Sequence, residues 1–189
     1  MDRRSEILTT AGHLFRERGY HATSMRDIAA SLELRGSSLY AHIDSKEEVL
    51  WEIVNRAADA FLAHAEAVEA RALAPRERLR ALIAGHLQVI VQELPRATVF
   101  FHEWKFLSPE RRAQVTECRD RYEGFFRRAV EAGVASGDFA TEDPKLAALF
   151  ILSALNWTYQ WFREGGELAL EALTERYTSL VLNALGGCP

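Results

Sequence analysis

Lysine, cysteine and proline are all scarce in this chain of 189 residues, and each scarcity excludes something. Five prolines and eleven glycines are too few for a many-stranded all-β fold with turns at short intervals. Two cysteines, Cys118 and Cys188, cannot build a disulfide scaffold or a cysteine-rich zinc site, so a reducing compartment is expected. No apolar stretch follows the start MDRRSEILTT, which speaks against a signal peptide. The longest uncharged run, residues 146–162, is shorter than the roughly 20 apolar residues of a membrane span and contains Ser153, Asn156 and Gln160. A soluble cytoplasmic protein with no membrane partner is the expectation.

Enzyme signatures are missing too. Neither Glu-x-x-His nor His-Glu-x-x-His occurs, the histidines are scattered, and no Gly-x-Ser-x-Gly or glycine-rich phosphate loop is present. No catalytic residue, metal site or resident cofactor is therefore assigned. A formal net charge of −4 gives no global sign of a nucleic-acid binder, so the local pattern must decide. Positive charge comes almost wholly from arginine; Lys46, Lys105 and Lys145 are the only lysines.

The chain is 48% hydrophobic and 26% charged, as a globular domain should be, and its periodicity is helical from end to end. Ile7, Leu8, Ala11, Leu14 and Phe15 form one apolar stripe closed by Arg18 and Gly19. Ser24 and Asp27 read as a capping box opening a second, short helix. A break around Glu33 to Gly36 precedes a third, and Asp44-Ser45-Lys46 opens a long fourth. Pro75, Pro109 and Pro144 mark later helix starts. The prediction is an all-α fold of about nine helices. A three-helix head, residues 1–47, carries a helix-turn-helix, and residues 48–189 form a helical body for effector binding and dimerisation.

In the head, Leu39 and Ile43 are four apart and should face the core, leaving Ser37, Ser38, Tyr40, Ala41 and His42 outside, with Gly36 also assigned to the DNA face. Small hydroxyls, a phenol and an imidazole suit phosphates and base edges, with Ser24, Arg26, Arg35 and Lys46 flanking them. The same residues could equally be the solvated face of an ordinary three-helix bundle. The run TSMRDIAASLELRGSSLYAHIDSKEEVL closely resembles the N-terminal signature of TetR-type transcriptional regulators, over roughly residues 3–55. Thr23-Ser24, Asp27-Ile28-Ala29, Ser38-Leu39-Tyr40, His42 and Ser45-Lys46-Glu47 carry the likeness. It implies a recognition helix in the major groove of operator DNA, with Tyr40 and Lys46 on phosphates. Two departures stand out: Glu33 where the family often has Gly, and Arg35 where it often has Ser or Thr. A positive φ at Glu33 would cost roughly 1 kcal/mol, and Gly36, Ser37 or Ser38 would have to replace the lost hydroxyl cap.

A single head reads one half-site, so a homodimer on a pseudo-palindrome is expected. The helix expected from Lys145 to about Arg163 is apolar almost all round. With the C-terminal helix it places Leu149, Leu152, Leu173, Tyr177 and Leu180 at a candidate dimer interface. Aromatics with isolated polar groups suggest a pocket for a small hydrophobic effector: His102, Trp104, Arg119, Tyr122, Phe126, Asn156, Trp157 and Trp161. NWTYQWFREGG and LYAHIDSKEEVL resemble a TetR subgroup that senses acyl-coenzyme A thioesters and represses fatty-acid, steroid or aromatic-acid degradation. That resemblance implies an acyl-CoA effector, with arginines among Arg119, Arg121, Arg127 and Arg128 for its phosphates. A hydrophobic cation, as in efflux repressors, is the alternative, and Glu103 beside Trp104 is its one inviting carboxylate.

Overall fold

The computed structural model describes residues 2–163, 165, 166 and 168–186. Cys188, and Glu164 of the NWTYQWFREGG segment, lie outside the described residues. Ten α-helices and one 3-10 turn occur among them, and no strand. The helices are α1 (Arg3–Arg18), α2 (Met25–Ser31), α3 (Gly36–Tyr40), α4 (Lys46–Glu69), α5 (Pro75–Gln92) and α6 (Leu94–His102). After a 3-10 turn at Trp104–Phe106 come α7 (Pro109–Ser136), α8 (Pro144–Asn156), α9 (Thr158–Trp161) and α10 (Leu170–Ala184). The all-α expectation holds. No helix among the described residues is long and apolar enough to cross a membrane.

Starts follow side-chain chemistry. The Ser24 hydroxyl accepts from the Asp27 N–H while the Asp27 carboxylate accepts from the Ser24 N–H, completing the capping box. Ser45 caps α4 at Glu48, and Asp143 caps α8 at Leu146 just before Pro144. At α3 the expectation fails: Arg35 is the N-cap and no side chain caps it. Its carbonyl instead accepts the Ser38 and Leu39 N–H groups, so none of Gly36, Ser37 and Ser38 replaces the hydroxyl.

The described residues form two compact units: those up to Asp59 with Glu93–Thr116, and Ala60–Gln92 with those from Glu117 on. In the first, the stripe Ile7, Leu8, Ala11, Leu14 and Phe15 is buried, and α1 packs on α2 and α6. Each such aliphatic burial contributes about 1.5–3 kcal/mol. In the second, α5 packs against α8, α9 and α10, burying Leu79, Leu82, Ile83, Leu87 and Ile90. Gly85 is required there, because a Cβ on it would lie 1.6 Å from the His64 ring. Helices α4 and α7 contribute residues to both units.

One predicted helix is in fact two. The expected helix from Lys145 to Arg163 breaks at Trp157, between α8 and α9. Tyr177 of α10 supplies the cause. Its hydroxyl donates to the Ala154 carbonyl at 3.2 Å and accepts from the Thr158 hydroxyl at 3.2 Å. In an unbroken helix that carbonyl would serve the Thr158 N–H, so a side chain inserts where the ladder would continue.

Candidate functional site

The head presents the surface that its spacing predicts. Leu39 and Ile43 are buried, whereas Ser24, Arg26, Arg35, Gly36, Ser37, Ser38, Tyr40 and His42 are exposed. Tyr40 is 53% exposed, with its hydroxyl available to solvent or a partner. Glu33 holds φ 54°. Its N–H bonds the Ala30 carbonyl and the Leu34 N–H bonds that of Ala29, the Schellman termination of α2, with glutamate at the position that favours glycine.

Lys46, half-buried in the first turn of α4, donates to the Tyr20 and Thr23 carbonyls, each at 2.9 Å, and sits over the Tyr20 ring at 4.3 Å. Two of its three donors thus hold the α1–α2 connection. Phe106 of the 3-10 turn stacks on Tyr20 and meets His21 edge-on, with centroids 5.9 and 4.2 Å apart. Arg4 reaches Glu52 and the His42 carbonyl. Arg111, at the start of α7, pairs with Glu47 and Glu48 and lies over Trp51.

In the second unit, His86 and Tyr122 are buried together. The Tyr122 hydroxyl lies 3.1 Å from His86 Nδ1, with Phe61 and Phe126 in ring contact. Burial pulls the His86 imidazole down to about 3, and pushes the Tyr122 phenol far above its ordinary range. The pair is neutral at any physiological pH. Arg119, one turn before Tyr122 on α7, is half-buried, which lowers its guanidinium pKa. Arg121 and Arg128 are paired with Glu66 and Glu69 of α4, and Arg127 lies 3.8 Å from Glu123.

A third feature is an uncovered apolar face on α8, α9 and α10. Leu146, Leu149, Phe150, Trp161 and Leu180 are exposed, as is Trp157 at the α8–α9 break. A groove of about 620 Å³ runs beside Leu146, Phe150, Val181 and Leu185.

Comparison with known proteins decides the family. Residues 7–53 match the model described as bacterial regulatory proteins of the tetR family. Residues 72–185 match the tetracyclin repressor-like C-terminal domain. The chain belongs to the TetR family. The transcriptional repressor KstR2 of Rhodococcus jostii (strain RHA1) is 32% identical over 97% of this chain and 91% of its own. The crystal structure of the TetR-family regulator PfmR from Thermus thermophilus has a TM-score of 0.87 at 37% identity, covering 96% of this chain and 98% of that one. AibR in complex with isovaleryl coenzyme A and operator DNA has a TM-score of 0.85 at 29% identity, covering 95% and 97%. As a TetR-family member the chain is a DNA-binding transcription regulator, and its relatives are regulators and not enzymes.

The sequence-predicted residues of this TetR-family chain sort into three environments. Tyr122 and Phe126 share the buried aromatic cluster, with Arg119 on the same helix. Trp157 and Trp161, expected in the pocket, are 63% and 44% exposed on the apolar face, and Asn156 is half-buried at the end of α8. His102 and Trp104 belong to the unit of the head, His102 exposed and Trp104 half-buried. Among the predicted interface residues, Leu149 and Leu180 are exposed, but Leu152 and Leu173 face their own core and Tyr177 is the hydroxyl that breaks α8 from α9. Glu103 lies against Gly19 in the unit of the head, while the polar partner of Tyr122 is a histidine. Sequence reasoning missed Arg4, Phe61 and His86, whose partners lie 25 to 61 residues away and leave no local signal.

Proposed function

We propose that this chain represses transcription as a homodimer on a pseudo-palindromic operator and is released by a long-chain acyl-CoA. The observation that carries the effector reading is the neutral His86–Tyr122 pair walled by Phe61 and Phe126. Aromatic walls around one uncharged donor–acceptor pair suit an acyl group and its carbonyl, and offer no anion to a hydrophobic cation. Arg119 is the cation assigned to the CoA phosphates. AibR, crystallised with isovaleryl coenzyme A and operator DNA, supports operator binding and a coenzyme A thioester as the class of ligand. Tyr40 and the remaining donor of Lys46 are assigned to phosphates, and Ser38 and His42 to base edges.

Release requires the effector to favour the DNA-free form. A hundredfold preference corresponds to about 2.7 kcal/mol. At about 0.8 kcal/mol per buried methylene, that is roughly three to four methylenes covered in one state and not the other. Acyl-CoAs of increasing chain length are titrated against the protein–DNA complex. Release that grows with chain length, and none by free CoA, is expected. No release at any length overturns the acyl-CoA assignment and favours the cationic effector.

A further inference from the structure

Arg4 stands in the first turn of α1, where a cation opposes the helix dipole by about 0.3–1 kcal/mol. An arginine there, in a DNA-binding head, invites assignment to the phosphate backbone. The geometry points elsewhere: we propose that Arg4 is a positioning residue for DNA binding, fastening the exit of the recognition helix to α4 through Glu52, and that it touches no phosphate.

The guanidinium meets Glu52 as a fork. Nε donates to Oε2 at 3.1 Å and Nη2 donates to Oε1. Nη1 donates at 2.6 Å to the carbonyl of His42, in the connection that leads from α3 to α4. That connection begins with the His42 and Ile43 N–H groups on the Leu39 carbonyl, so the Arg4 bond fixes where the recognition helix ends against the second turn of α4. Three of the five N–H donors are committed, and a planar fork holds its direction where a flexible ammonium would not. The Glu52 side chain is only 16% exposed, so it is a firm anchor.

Charge argues the same way. Asp44, Glu48 and Glu52 all act on Arg4, and Glu48 Oε1 lies 3.6 Å from Nη2. Arg111 shares Glu48 and Arg56 lies 3.7 Å from Glu52, while Glu47 adds a fourth carboxylate on Arg111. Three arginines facing four carboxylates leave no surplus positive charge. A phosphate brought to Arg4 would meet the carboxylates that already hold it.

The two roles predict opposite signs. Binding of the full-length protein is measured over a salt series, on a duplex that it selects from a random-sequence pool. Arg4→Gln is expected to weaken binding about tenfold, the worth of one charge-assisted hydrogen bond, with the salt slope unchanged. Glu52→Gln is expected to weaken it by a similar factor although it removes a negative charge from the head. The double variant should be no weaker than the weaker single one. A slope flatter by about 0.9 in Arg4→Gln, or tighter binding by Glu52→Gln, would overturn the proposal. Amide hydrogen exchange of the free Arg4→Lys protein guards against simple unfolding. Faster exchange over residues 36–45, with α5 and α10 unchanged, is expected; unchanged protection at 36–45 counts against the proposal.

Discussion

Glu33 is the residue where this head departs most visibly from what its backbone favours. Its φ of 54° places an L side chain in the left-handed region at the end of α2, where glycine pays no Cβ penalty. Glu33→Gly should therefore raise stability by about 0.5 kcal/mol, the roughly 1 kcal/mol of strain less the extra freedom of the unfolded glycine. Thermal unfolding of the full chain checks it, and an unchanged or lower midpoint would remove the strain argument. His86 makes a pH prediction. Its folded-state pKa, about 3, is below the ordinary 6.5, so the unfolded chain takes up a proton first as pH falls. Stability on this account is full above pH 6.5 and declines between 6.5 and about 3, with a slope approaching 1.4 kcal/mol per pH unit. His86→Gln should flatten the acid limb by about one proton, seen as a smaller spread of unfolding midpoints between pH 7 and pH 5. An unaltered spread would mean that other groups set the acid limb.

At the scale of elements, local signals were read well and distant ones were not. The apolar stripe of α1, the Ser24–Asp27 box and the Asp143–Pro144 start are all written within a few residues of where they act. The break at Trp157 is not. Nothing between Leu146 and Phe162 is a proline or a glycine, and the bond that interrupts the helix comes from Tyr177, 23 residues beyond Ala154. The same distance hid the Arg4–Glu52 fork and the His86–Tyr122 pair. For the residues expected to meet DNA, by contrast, exposure on α3 was legible, because Leu39 and Ile43 fix which side of α3 turns inward. Tyr177→Phe tests the account of the break. It leaves the Ala154 carbonyl and the Thr158 hydroxyl without their partner, so a loss of about 1–3 kcal/mol is expected on chemical denaturation. A loss below about 0.5 kcal/mol would show that α8 and α9 separate for another reason.

For the molecule as a whole, what matters is what covers the face of α8, α9 and α10. Leu146, Phe150, Trp157 and Leu180 are each at least 60% exposed on a chain that otherwise buries its large apolar side chains well. Large exposed apolar side chains gathered on neighbouring helices of one unit mark an association surface. Two-fold pairing of such a face with itself gives a closed dimer and sets two heads for two half-sites. Leu152 and Leu173 cannot test this, since both are buried in their own chain and their loss would damage the fold. Leu180, at 67% exposed, can. Leu180→Glu should leave the melting of the isolated chain within about 0.5 kcal/mol of its starting stability. In the proposed dimer it would bring two carboxylates into an apolar interface, at a cost of several kcal/mol. Sedimentation at micromolar concentration is therefore expected to show a dimer for the natural chain and a monomer for the variant. Operator binding should then fall towards the affinity of a single half-site, while the salt-dependent attraction to random duplex DNA persists. A natural chain that sediments as a monomer would refute the dimer outright. A Leu180→Glu protein that remains dimeric would move the interface away from α10.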